Sequence, residues 1–368
     1  MHGIMKIRLK QETLHIKNEK SSFECGQAEN NELLISMLKL TGWVEVDGQR
    51  LSPQEIETIV KDRPEEILSF GGEFFLAGSG CRARDHFGIM PGNCPKGTLI
   101  CDDVVRGSID PHVPEMPLEE AIVTAVNLRS DEGVCALSGG VDSTLVAHLA
   151  GRECVTVGLL DSHDLHQARY AADSLGLSCF YVTITPKELA AALPAVIGAI
   201  PLKDPVNTSI ALTQYFVARY AGEQGHKRII TGQGADELFG GYSRYLVTPT
   251  LKDDLERDFL GLEQQADRDQ SVAALHGTNF SMPYLDVRVV RAARAIPAHE
   301  KVQGGRRKIP LREVAERHIP AELAWYEKKA MQYGSGVWKE LQKLARKNGY
   351  KVSIQDYIDH IRRVEHGH

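Results

Sequence analysis

The sequence predicts an α/β protein: a parallel sheet with helices on both faces, preceded by a small β-rich part. Three observations carry this. From Gly133 onward, strand-like and helix-like stretches alternate. The strand-like stretches are almost wholly apolar, as strands covered on both faces are. The first of them breaks into Ser138-Gly139-Gly140-Val141-Asp142-Ser143 before a helical run resumes.

Up to about Val113 the chain reads as short strands between Gly and Asn turns, with "WVEVDG", "GGEFFLAG" and "TLICDDVV" as the strands. Pro111, Pro114 and Pro117 mark a linker, which divides the chain at 1–113 and 114–368. "LEEAIVTAVNLR" follows as a helix, with apolar residues at helical spacing. "VCALS", "CVTVGL", "SCFYVTIT" and "RIIT" are then strands, separated by the helices "DSTLVAHLAG", "DLHQARYAADSLG" and "TSIALTQYFVARYAGEQG". Beyond Tyr242 the pattern is mostly helical and more charged, which ends the sheet near that point. The tail after Trp338 reads as a solvated helix.

The loop at Ser138 sits where a parallel sheet binds its ligands, at the carboxyl end of a strand. Two glycines let backbone approach an anion closely, and the helix start offers unpaired N–H groups. Ser138 and Ser143 add hydroxyl donors. Asp142, a carboxylate in a phosphate-binding turn, fits if it holds magnesium. The lysine-bearing loop G-x-x-x-x-G-K-[ST] occurs nowhere in the chain. A second glycine-rich turn, "RIITGQGADELFGGYSRY", again follows a strand, and Asp236 and Glu237 suit the first turn of a helix.

"SGGVDS" resembles the pyrophosphate (PP) loop of ATP pyrophosphatases. "TGQGADELFGGY" resembles the S-G-E-G-A-D-E-x-F-G-G-Y box of asparagine synthetases. "TVGLLDSHDLHQARYAADSLG", "MPYLD", "KIPLREV" and the W-x-x-K segment after it are similar to further boxes of that family, in its order, over roughly 133–338. The resemblance implies an adenine-nucleotide alpha hydrolase-like fold and an ATP-dependent, amide-forming ligase. In that chemistry a carboxylate, aspartate first, becomes an acyl-adenylate with release of pyrophosphate, and ammonia or an amine displaces AMP. By position it implies Leu137, Val157, Gly158, Thr231 and Gly232 beside the adenosine. It implies Ser138, Gly139, Gly140, Asp142 and Ser143 around the pyrophosphate, magnesium on Asp142 and Asp236, and Lys308 reaching the phosphates as pyrophosphate leaves. ATP and Mg2+ are thus the implied cofactors.

Three departures bear on the acceptor half. Gln233 stands where asparagine synthetases carry glutamate; an amide orients a substrate by hydrogen bonds but is no general base. "NFSMPYLD" replaces E-x-R-x-P-F-L-D, so Asn279 and Ser281 are read as neutralised positions near the acceptor pocket. "CRARDHFGIMPG" resembles part of the family's glutaminase domain, yet position 2 is His2 and no cysteine precedes Cys25. The N-terminal part therefore reads as a shortened glutaminase without its nucleophile. The amine source is left open between free ammonia and a separate glutaminase.

The bulk composition limits the alternatives. The 368 residues, 42% hydrophobic, suffice for one large or two ordinary domains. A net charge of -6 argues against a nucleic-acid partner, and hence against a nucleobase- or tRNA-modifying adenylating enzyme. A non-catalytic ATP-binding relative has less need of the intact loop, Asp236 and Lys308. No apolar run of membrane-spanning length is present, and "MHGIMKIRLK" has no signal core. The 7 cysteines, Cys81, Cys94 and Cys101 among them, are expected as free thiols, which suits a reducing cytoplasm.

Overall fold

The computed structural model describes residues 38–327 and 331–365. His2, Cys25 and Lys328, the lysine of the W-x-x-K segment, lie outside the described residues. Two sheets organise the rest. The first is antiparallel and six-stranded: β1 (Lys39–Val46), β2 (Gln49–Arg50), β3 (Gly71–Gly78), β4 (Cys81–Arg84), β5 (Thr98–Cys101) and β6 (Val104–Ser108), in the order β2-β1-β3-β4-β5-β6. The predicted single strand "TLICDDVV" is in fact the hairpin β5–β6. Asp102 and Asp103 both take positive φ, 52° and 60°, the geometry of a tight two-residue hairpin turn. Helix α1 (Pro53–Asp62), capped by Ser52 and Glu55, buries Ile56, Ile59 and Val60 against this sheet.

Cys81 and Cys101 face each other across β4 and β5 and are joined in a disulfide. This corrects the expectation of free thiols for that pair. The strand register, which spacing along the chain does not reveal, places them together. Cys94 is free and buried.

The second sheet is parallel: β7 (Val134–Ala136), β8 (Cys154–Leu159), β9 (Cys179–Ile184), β10 (Arg228–Ile230) and β11 (Asn279–Ser281), in the order β11-β10-β7-β8-β9. The sheet does not end near Tyr242 as expected. β11 adds an edge strand beside β10, with Ile230 opposite Ser281. It is only three residues long and partly polar, so no apolar run announces it. Helices α2 (Leu118–Asn127), α3 (Val141–Ala150), α4 (His163–Leu175), α5 (Pro186–Ala199) and α6 (Pro205–Glu223) cover the sheet. α7 (Ala235–Phe239), α8 (Leu251–Leu260), α9 (Leu262–Ala274) and α10 (Val287–Ala295) follow. The tail is not a solvated helix either. Leu341 and Leu344 of one helix and Tyr357 and Ile358 of the next are buried in the main core.

β8 and β9 lie on one side of β7, and β10 and β11 on the other. The turns after β7 and β10 therefore emerge side by side at the carboxyl edge, the switch point where such sheets bind ligands.

A buried ionic cluster joins the two sheets. Glu73 of β3, 0% exposed, accepts from Arg129 Nε (2.8 Å), Met282 N (2.7 Å), Trp43 Nε1 (3.2 Å) and the Ser281 hydroxyl. Burial opposes its charge, but Arg129 and these hydrogen bonds hold it below the usual glutamate range. Arg129 Nη1 also reaches Asp286 (3.0 Å), which in turn pairs with Arg288 (3.1 Å), and Arg288 pairs with Glu45 of β1 (2.8 Å). Breaking one member of such a buried network costs about 3–5 kcal/mol, because the partner is left charged and unpaired.

Candidate active site

A cleft of about 1000 Å³ opens over the two adjacent turns. The first turn is held by its own side chains. The Ser143 hydroxyl accepts from Ser138 N (3.1 Å) and pairs with the Ser138 hydroxyl (2.8 Å). Gly140 caps α3, so the helix start faces the cleft with its unpaired N–H groups. The second turn runs from Thr231 into α7. At Gly232 an added Cβ would lie 2.7 Å from Ser143 N and 2.8 Å from the Asp142 carbonyl carbon. The two turns thus touch backbone to backbone, a contact that glycine alone permits.

Lys308 bridges them. Its Nζ lies 2.5 Å from Asp142 Oδ2 and 2.7 Å from Asp236 Oδ1. Burial alone would weaken this ammonium, yet the two carboxylates outweigh it and hold its pKa above the ordinary lysine range. Asp142 is pushed up by its own burial and by Asp236, while Lys308 pulls it down. Asp142 Oδ1 is buried without a hydrogen-bond partner. Two carboxylates converging on one cationic point, with an acceptor oxygen to spare, fit a divalent cation of the magnesium type. Such an ion takes only one or two protein carboxylates and completes its shell with phosphate oxygens. No cluster of three or more His, Cys, Asp or Glu side chains suited to a metal occurs among the described residues.

Most sequence-predicted residues meet here. Leu137, Ser138, Gly140, Asp142, Ser143, Val157, Thr231, Gly232, Gln233, Asp236 and Lys308 all line the cleft. Gly139 and Gly158 do not. Gly139 turns the chain with φ +74° against Gln167, and Gly158 packs on Ser162 and Leu165. Asn279 and Ser281 are also absent from the wall. The Ser281 hydroxyl points to Glu73, and Asn279 sits opposite Arg228 at the far end of β11.

Gln233 is already engaged: its amide nitrogen donates to Asp269, and its carbonyl accepts from Thr231 Oγ1 (3.2 Å). Beyond it lie residues that sequence reasoning missed. Arg268, buried, pairs with Asp269 and donates to Asn207 (2.8 Å). Glu237 accepts from Tyr242 and from Gln265 (2.7 Å), and burial together with Asp236 raises its pKa. Near Lys308, Arg307 donates to the Gly241 carbonyl (2.6 Å), and Arg312 pairs with Glu327. The arginines of the 306–308 run carried a signal in the sequence, but a charged run on its own reads as solvated surface.

The asparagine synthase family model matches residues 117–266 and 261–360. A Methanocaldococcus jannaschii protein assigned as a glutamine-hydrolysing asparagine synthetase is 32% identical over 61% of this chain and 50% of its own length. Asparagine synthetase B of Escherichia coli is 26% identical over 64% of this chain and 47% of its own. The carboxyethyl-arginine beta-lactam-synthase of Streptomyces clavuligerus is 30% identical over 63% and 46%. The chain spans about half the length of these curated relatives.

Proposed function

The chain belongs to the asparagine synthase family, and from that premise we propose that it is an ATP-dependent, amide-forming ligase that releases AMP and pyrophosphate. A carboxylate oxygen attacks the α-phosphorus. The bond to the bridging oxygen breaks, and its electron pair leaves with pyrophosphate. An amine then attacks the acyl carbon of the adenylate, loses a proton and expels AMP. Aspartate is the acid proposed first, with ammonia as the amine. Activation is needed because a carboxylate is a poor electrophile at neutral pH.

The observation that carries this reading is the convergence of two glycine turns on Lys308 at the sheet's switch point. In this reading Ser138, Gly140, Ser143 and the start of α3 bind the pyrophosphate. Leu137, Val157, Thr231 and Gly232 flank the adenosine. A fixed ammonium beside the leaving oxygens lowers the barrier because it is already in place when charge develops. Asp142 and Asp236 would hold Mg2+, which when bound neutralises charge on the departing pyrophosphate. Gln233, a neutral amide, cannot accept a proton at neutral pH, so it orients the acceptor rather than activating the amine.

The test is acid-dependent exchange of labelled pyrophosphate into ATP, run with a panel of amino acids and other carboxylates, with and without tRNA. Exchange with an acid alone, aspartate first, is expected. Exchange only with tRNA, or none with any acid, contradicts the reading. Asp142→Asn is expected to abolish exchange and keep its far-UV circular dichroism.

A further inference from the structure

We propose that Glu73 is a positioning residue for the nucleotide site, and that the antiparallel sheet serves that site as a clamp. The proposal rests on the nucleotide reading above and concerns residues that reach the nucleotide turns only through the segment Ser281–Asp286.

The segment Ser281–Asp286 is a bracket that touches both glycine turns. At its start, the Ser281 carbonyl accepts from Thr231 N (3.0 Å) and from Thr231 Oγ1 (3.3 Å). Thr231 Oγ1 in turn lies against Gln233 (3.2 Å). In its middle, the Tyr284 hydroxyl donates to the Asp142 carbonyl (3.1 Å), so the same bracket reaches the first turn. Leu285 closes over Gly234, where an added Cβ would lie 2.7 Å from it. This segment carries no charge of its own until Asp286.

Both ends of the bracket are fastened to the antiparallel sheet. Glu73 takes the hydroxyl of Ser281 and the backbone amide of Met282 (2.7 Å). Asp286 is tied through Arg129 to the same Glu73 and through Arg288 to Glu45. Arg129 lies in addition over the Trp43 ring of β1, 4.9 Å from its centroid. Glu73 and Arg129 are 0% and 1% exposed, so no water competes for these bonds. A carboxylate on β3 thereby sets where Thr231 and the Asp142 carbonyl stand. The β-rich part is then a support for the nucleotide turns, whatever else it does.

The experiment compares Glu73→Gln, in β3, with Ile56→Ala, in the helix α1 that packs on the same sheet. Ile56 is buried in the α1 packing and does not touch the bracket. Exchange kinetics and equilibrium ATP binding are measured at a temperature where circular dichroism shows each protein folded. Glu73→Gln is expected to lower kcat for exchange by roughly tenfold or more, since small displacements of positioned groups are costly. Ile56→Ala, although less stable, is expected to stay within about twofold of wild type in kcat and in KM for ATP, because nothing it touches moves the turns. If Glu73→Gln does not fold, Ser281→Ala decides. It deletes one donor to Glu73 and is expected to lower kcat roughly threefold, and an unchanged kcat overturns the clamp. Wild type that binds ATP, with Glu73→Gln turning over equally, overturns the clamp and spares the nucleotide reading. Wild type that binds no ATP overturns both.

Discussion

Lys308 sits between two aspartates that would otherwise repel each other in a buried place. Its backbone takes φ 58°, a left-handed conformation uncommon outside glycine and asparagine, at the cap of the helix that follows. Lys308→Met is expected to lower exchange at saturating ATP by roughly 10²–10³-fold, the range found when a preorganised stabilising group is removed. A fall confined to KM for ATP would contradict its role at the leaving group. Lys301 makes the contrasting case. Burial and the nearby Arg294 pull its pKa down to about 8, against Glu256. The folded value lies below the unfolded value of 10.5, so protonation disfavours the fold. Stability is complete above pH 10.5 and is lost as pH falls through 8, by up to about 3 kcal/mol. Lys301→Met is therefore expected to raise the urea midpoint at pH 7, and that gain is expected to vanish near pH 11. An equal gain at both pH values would contradict the cause given.

The two glycine turns act as one element because they meet backbone to backbone. Gly232→Ala would force its Cβ within 2.7 Å of Ser143 N, so one turn must move. Exchange is expected to fall roughly 10²-fold while the thermal midpoint shifts little, and near-normal exchange would show that the contact is not needed. These turns were legible in the sequence because glycines, hydroxyls and an aspartate at the end of an apolar strand stand out by residue type alone. Elements specified only by partners were not. The tail helices bury Leu341, Leu344 and Ile358, but their charged residues hide that face until the core they meet is known. β11 is too short and too polar to announce itself. Motif order drew attention to Ser281, yet it could not say that its hydroxyl turns to Glu73. Register likewise joined Cys81 to Cys101 when spacing alone suggested free thiols.

Across the chain the two sheets divide the labour. The parallel sheet brings both turns to one edge, and the antiparallel sheet, through Glu73, Glu45 and their arginines, fixes the bracket beneath them. Among the described residues no helix is long and apolar enough to cross a membrane. The account stands or falls on which anhydride of ATP breaks, since every placement around Ser138–Ser143 assumes the innermost one. Phosphorus NMR of the chain turning over ATP with its acid and ammonium answers this directly. AMP and pyrophosphate in equal amounts are predicted, and ADP with orthophosphate would contradict the account.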